Sequence, residues 1–106
     1  MPELIECCIF SRERFMYEDI IKSFEAIWRY AGEEIKFGPR CLKIETDPYE
    51  IIVLDDLKAE GYVMENRKVG LNLRQTKLLL IKLAKFHASS AIRYVKVLII
   101  FFTYFT

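Results

Sequence analysis

Apolar residues in the first third of the chain recur at steps of four and three, which places them on one helical face: Met16, Ile20, Phe24, Ile27 and Ala31. Ser11 can cap the start of such a helix, and Gly32 can end it because glycine tolerates left-handed backbone. The pattern therefore predicts a helix over residues 11–32. The segment of residues 1–10 is short and of mixed residue types, and it predicts no element.

The middle of the chain changes to short apolar runs. CLKIE (41–45) and YEIIVL (49–54) have the β-branched and apolar content of strands, and Asp47-Pro48 between them is a turn signal. A Gly-Pro turn signal in FGPR (37–40) precedes the first run. These signals predict an antiparallel hairpin with Asp47-Pro48 at its tip.

The polar stretch of residues 58–70 predicts a loop. A second helix is predicted after it. Asn72 is a good N-cap, and Gln75 three residues later completes a capping box. The face predicted to turn inward consists of Leu73, Thr76, Leu80, Leu83 and His87, with Leu79, Phe86 and Ser90 beside it. We expect His87 to be a packed core histidine rather than a catalytic one.

The end of the chain, residues 93–106, has a different character. Residues 97–105 carry no charge, but a membrane-spanning helix needs about 20 apolar residues, so this run is too short to span. The favoured interpretation is the translated remnant of a truncated gene model, read past the end of an exon. The alternative is an apolar segment that packs on exposed core or touches a membrane, and we expect membrane contact to be the weaker alternative. Either way the run predicts aggregation.

Composition excludes several classes of protein. The chain has 106 residues, 53% of them hydrophobic, and 16 basic residues balance 15 acidic ones, so a nucleic-acid partner is not expected. No secretion signal is visible, and the three cysteines (Cys7, Cys8 and Cys41) predict reduced thiols in the cytoplasm. With one histidine and no CxxC pair, no metal site is predicted.

No self-contained active site is visible. The four glycines are scattered, so there is no Gly-rich phosphate loop. Asp55 and Asp56 could suggest acid–base chemistry, but neighbouring side chains on an extended chain point to opposite sides. Both aspartates could equally be turn formers that end a strand.

Four segments together resemble a known family: FSRERFMYEDI, FGPRC, IIVLDDLKAEGY and GLNLRQTKLLLIKLAKFHASSAI. They are similar to the CHK kinase-like family, also called ecdysteroid kinase-like, which is related to choline kinases and aminoglycoside phosphotransferases. The resemblance covers roughly residues 2–92. It implies an α/β (α+β) fragment of a protein-kinase-like fold, with a small-lobe helix, a β-hairpin, the hinge and the first large-lobe helix. It divides the chain into a partial domain, 1–92, and a divergent apolar tail, 93–106.

The resemblance also implies roles for individual residues. The family transfers the γ-phosphate of ATP to a hydroxyl of a small molecule, such as an ecdysteroid. Glu13 would pair with a lysine on a preceding strand, although it could also be an ordinary exposed helix residue. Leu54 would lie at the back of the adenine pocket. Asp55, Asp56 and Leu57 would form the hinge, whose backbone groups bind the adenine edge.

The family's phosphate-handling groups have no counterpart in these residues. Phosphoryl transfer needs a Gly-rich loop, a strand lysine, a catalytic aspartate and an aspartate that binds Mg²⁺. We therefore expect ATP, Mg²⁺ and a small-molecule acceptor for full-length members, and at most weak nucleotide binding by this chain. The chain alone is expected to be inactive. The alternative is a non-catalytic binding or regulatory protein, with membrane association through its tail as a variant.

Overall fold

The computed structural model describes the backbone of residues 2–105 and the side chains of residues 9–104. Its elements, in chain order, are α1 (Pro2–Phe15), a π-helical turn (Met16–Ile20), α2 (Ile21–Tyr30), β1 (Cys41–Glu45), β2 (Ile51–Leu54) and α3 (Leu73–Phe105). The fold is therefore a mixed α+β arrangement, as predicted. The side chains of Cys7 and Cys8 lie outside the described residues.

The first helix begins much earlier than the pattern predicted. Ser11 lies inside α1 and does not cap it, so the predicted start is wrong. Pro2 suits the first helical position because the amide that proline lacks would have no partner there. After α1 the Ile21 amide bonds the Met16 carbonyl five residues back, so the helix contains an extra residue in this turn.

The predicted end of the helix at Gly32 is confirmed. Gly32 has a φ of +93°, which glycine adopts without steric cost. Its amide donates to the Arg29 carbonyl at 3.0 Å, and the Glu33 amide donates to the Trp28 carbonyl at 2.9 Å. These two bonds make a Schellman motif, which satisfies carbonyls that the last helical turn leaves free.

The predicted hairpin is also confirmed. β1 and β2 are antiparallel, with Lys43 opposite Val53 and Ile44 opposite Ile52. The register is irregular between Cys41 and Lys43, where one strand accommodates an extra residue. The Asp47–Pro48 peptide at the tip is cis.

The capping box of α3 forms as predicted. The Gln75 backbone N–H donates to Asn72 Oδ1, and the Asn72 backbone N–H donates to Gln75 Oε1, both at 2.9 Å. The helix is 33 residues long and runs through the apolar segment after Arg93, for which no element was predicted. No glycine or proline interrupts residues 73–105, so backbone hydrogen bonding continues. By length and composition alone, residues 73–104 could cross a membrane.

The inward face of α3 was predicted incorrectly. His87 is exposed, as are Leu73, Leu80 and Leu83. The side that contacts α2 and the segments next to it includes instead Lys85, Ser89 and Arg93, together with Phe86, which was predicted to lie beside the inward face. The cause is that Trp28 and Phe24 contact Ser89 and Phe86 on another side of α3.

The core between α2 and α3 is small. Phe24 is 4% exposed, and its ring meets Phe86 edge to face with centroids 4.9 Å apart. Phe37, from the segment that follows α2, completes the cluster at 5.5 Å from Phe86. Edge-to-face pairs of this kind stabilise a contact beyond the area they bury. This cluster holds α2, the segment before β1 and α3 together, and so positions the end of the hairpin.

Candidate functional site

The predicted hinge begins where β2 ends. Leu54, the last residue of β2, pairs with Cys41. One residue further, the Asp55 amide donates to the Arg40 carbonyl at 2.9 Å. The Asp55 carboxylate also lies 3.4 Å from Arg40 Nε, and its side chain is only 18% exposed. Asp55 is therefore held to the opposite strand by both its backbone and its carboxylate.

The next two residues turn the chain away from the sheet. Asp56 Oδ1 accepts the Lys58 amide at 3.0 Å, which is the local bond that makes aspartate a turn former. The Leu57 carbonyl accepts the amides of Glu60 and Tyr62 at 3.1 and 3.0 Å. The predicted role of Asp56 as a turn former is therefore confirmed, and a hinge role remains compatible with it.

Several backbone groups of this segment have no hydrogen-bond partner among the described residues. They are the carbonyls of Asp55 and Asp56 and the amides of Asp56 and Leu57. A purine presents donors and acceptors side by side on one edge, so it needs an unpaired carbonyl and amide close together on the protein. The end of β2 offers both, which fits the adenine part of a nucleotide.

The described residues do not fit the rest of Mg-ATP. They contain no group of three or more His, Cys, Asp or Glu side chains that could hold a metal ion. Glu13 is exposed on α1, and among the described residues nothing forms a hydrogen bond or ion pair with it. Residues 54–57 are consecutive in the chain, and the structure shows no hydrogen bond or ion pair between the side chain of Glu13 and any of them. The ion-pair role of Glu13 stays a prediction.

A cleft of about 440 Å³ lies behind the hinge, between the helices and the residues that precede β1. Lys36 and Glu60 form an ion pair of 3.0 Å on its rim. The hydrogen bond that Lys36 Nζ donates to the Glu60 carboxylate raises the pKa of Lys36 above its usual value of 10.5, against a smaller opposing effect of desolvation. Six of the eleven residues that line this cleft are of charged types, and Asp55 is the one hinge residue among them.

Sequence reasoning missed Arg40 as a partner of Asp55. The signal was present, because an antiparallel hairpin with Cys41 opposite Leu54 places the next residues outward, Arg40 and Asp55, opposite each other. Identifying it required the strand register. Cys41 is a free thiol in this structure.

A helix, an antiparallel hairpin, an acidic turn at the strand end and a capped helix, in this order, define a kinase-like α+β chain. The model of the ecdysteroid kinase-like family matches residues 3–103, so the chain belongs to that family. No curated protein and no solved structure matches the chain significantly.

The matched segment runs past Arg93 and into the apolar end of α3. The helix is likewise continuous there. The division of the chain into residues 1–92 and a divergent tail, 93–106, stays a prediction.

Proposed function

We propose that residues 54–57 are the adenine hinge of a small-molecule kinase and that these 106 residues alone transfer no phosphate. The observation that supports the hinge is the set of unpaired carbonyls and amides from Asp55 to Leu57 directly after β2. Adenine recognition by such groups uses backbone atoms. The identity of the hinge side chains therefore matters little for binding. The family membership makes a nucleotide the fitting ligand.

The absence of phosphate-handling groups supports the proposed inactivity. Catalysis of phosphoryl transfer depends on positioning the phosphates and neutralising their charge. The sequence has no Gly-rich loop, and Glu13 lacks a lysine partner among the described residues. ATP, Mg²⁺ and a hydroxyl-bearing acceptor would then be ligands of full-length family members. We place the protein in the cytoplasm, as the sequence predicted.

Turnover is the first test. The purified chain and its Asp56→Ala variant are each incubated with ATP and Mg²⁺, and the ADP released by each is measured. We expect equal, background release from both. Mg²⁺-dependent release that disappears in Asp56→Ala would overturn the proposed inactivity.

Adenine recognition is tested separately by following backbone amide signals during titration with AMP. We expect weak, saturable shifts centred on Leu57. Leu57→Pro should abolish them because proline has no amide to donate. Val63→Pro is the matched control, since Val63 is exposed in the following loop and its amide has no partner among the described residues. Shifts that survive Leu57→Pro would refute the hinge.

A second candidate is a non-catalytic binding or regulatory protein. The observation that favours it is the exposure of apolar side chains on the predicted inward face of α3, among them Leu73, Leu80 and Leu83. Flanking genomic sequence separates the two candidates. An open frame with an upstream strand lysine and a downstream HGD-like motif would establish the kinase, whereas a transcript confined to these residues, with stable protein in cells, would favour the second.

A further inference from the structure

The segment that contains the end of the hinge, residues 56–62, is a short turn capped at both ends. Asp56 Oδ1 accepts the backbone N–H two residues later at 3.0 Å. At the other end, the Tyr62 N–H donates to the Leu57 carbonyl at 3.0 Å, and the Gly61 N–H donates to the carbonyl three residues earlier at 3.1 Å. Gly61 has a φ of +94°, so these two bonds make a second Schellman motif. The bonds fix the internal geometry of this capped turn, and the Leu57 amide moves with it.

Lys36 contacts the capped turn from outside at two points. Its Nζ donates to Glu60 Oε2 at 3.0 Å and lies 5.9 Å from the centre of the Tyr62 ring. A carboxylate and an aromatic face both attract an ammonium group. Both contacts lie at the far end of the capped turn from Asp56, so Lys36 holds the end that the strand does not hold.

The main chain beside Lys36 is fixed to the core. The Phe37 N–H donates to Glu25 Oε2 at 2.9 Å, and the Phe37 ring meets those of Phe24 and Phe86 with centroids 6.5 and 5.5 Å apart. Lys36 therefore extends from a segment that α2 and α3 keep in place. Its ammonium group relates the position of the capped turn to the position of the two helices.

We propose that Lys36 positions the hinge, because by holding the capped turn through Glu60 it sets the direction in which the Leu57 amide points. This inference rests on the proposed function, in which that amide donates to adenine. Arg40 already holds Asp55 to the opposite strand, so without Lys36 the turn would pivot from Asp56 onward. A hydrogen bond weakens as its donor angle departs from linear, so a pivoting amide would bind adenine less well. Lys36 acts through Glu60 and is therefore a positioning residue.

The orientation of the capped turn is tested without ligand, by residual dipolar couplings of backbone amides in the partly aligned chain. In the unchanged chain, the couplings of residues 57–62 should fit the same alignment as those of α2 and α3. Lys36→Met keeps the length of the side chain and removes its charge, so these couplings should become smaller. Hydrogen exchange at the Glu60 and Tyr62 amides should stay the same, since their bonds to the Leu57 carbonyl lie inside the turn.

The effect on binding is tested by titration with AMP. Lys36→Met should weaken AMP binding about threefold, a modest loss because the ion pair is half exposed. Lys58→Met is the matched control, because it removes the same charge from an exposed side chain that has no hydrogen bond or ion pair among the described residues. It should bind AMP as the unchanged chain does. Exchanging the charges, Lys36→Glu with Glu60→Lys, should restore both the couplings and the affinity, whereas either change alone should lower them.

Two outcomes would overturn the positioning role. One is that the couplings of residues 57–62 are the same in Lys36→Met as in the unchanged chain. The other is an unchanged AMP affinity in a variant whose couplings have become smaller. A lack of AMP-induced shifts in the unchanged chain would instead refute the proposed hinge, and the couplings would still show whether Lys36 holds the turn. Emission of Trp28, the single tryptophan, checks that the helix pair remains folded in each variant.

Discussion

Trp28 and Ser89 join α2 to α3 through a hydrogen bond of 2.7 Å from the indole Nε1–H to the serine Oγ. Ser89 is 0% exposed, and its hydroxyl donates to the Lys85 carbonyl at 2.8 Å. The Lys85 ammonium lies 5.4 Å from the centre of the Trp28 ring. A polar pair therefore stands at the centre of a helix contact that the Phe24 cluster continues. Since the half-buried indole and the buried hydroxyl satisfy each other, the pair favours one alignment of the two helices.

Removing the serine hydroxyl should loosen this contact. We expect Ser89→Ala to lower the free energy of unfolding by about 1–2 kcal/mol, because the indole N–H keeps only a weaker contact with the Lys85 carbonyl. Urea unfolding followed by Trp28 fluorescence measures the change. Ser90→Ala is the control, because Ser90 is exposed and its substitution should stay within about 0.5 kcal/mol. Equal midpoints for the two variants would mean that the hydrogen bond adds nothing.

The ion pair between Arg93 and Asp19 ties α3 to the π-helical turn at 2.7 Å. The two side chains are 26% and 46% exposed, so solvent screens the attraction only in part. A double-mutant cycle of Arg93→Gln and Asp19→Asn should give a coupling of about 0.5–1 kcal/mol. The same cycle on Arg29 and Glu34, which are 61% and 82% exposed, should give a coupling near zero. Equal couplings would contradict the structural role of the first pair.

Lys36 and Glu60 should titrate as a pair. Because the folded pKa of Lys36 lies above its usual value of 10.5, their contact is fully present below that pH and is lost as pH rises through the folded pKa. In an NMR titration, Glu60→Gln should lower the Lys36 pKa, because the hydrogen bond to a carboxylate is its largest cause. Glu50→Gln is the control and should leave it unchanged. A Lys36 pKa insensitive to Glu60→Gln would refute the contact.

The capping box predicts a local effect at the start of α3. Asn72→Ala should cost about 1 kcal/mol, since the Gln75 amide loses its acceptor. Hydrogen exchange at amides 73–76 should accelerate. Asn66→Ala is the matched control, because Asn66 Oδ1 accepts the Lys68 amide within the preceding loop and not within α3. Unchanged exchange at the helix start in Asn72→Ala would argue against the cap.

Local signals predicted many of the elements and the position of the site. Asn72 with Gln75, Gly32, and Asp47-Pro48 each act through neighbours a few residues away, so their effect is visible in the sequence. The candidate hinge was likewise identified from a contiguous run. Adenine binding by the hinge and an ion pair between Glu13 and a lysine both stay predictions.

By itself, the sequence determined where α2 and β2 end, where α3 begins, that the middle forms a hairpin, and which family the hinge segment resembles. Only the tertiary structure decided which side of α3 turns inward, where α1 begins, and that Arg40 holds Asp55. The physical reason is the sequence distance over which each interaction acts. Caps and turns depend on backbone groups within a few residues, but an inward face depends on a distant partner, and α3 offers apolar residues on more than one side. Ser89 faces inward because Trp28, 61 residues away, supplies its hydrogen bond.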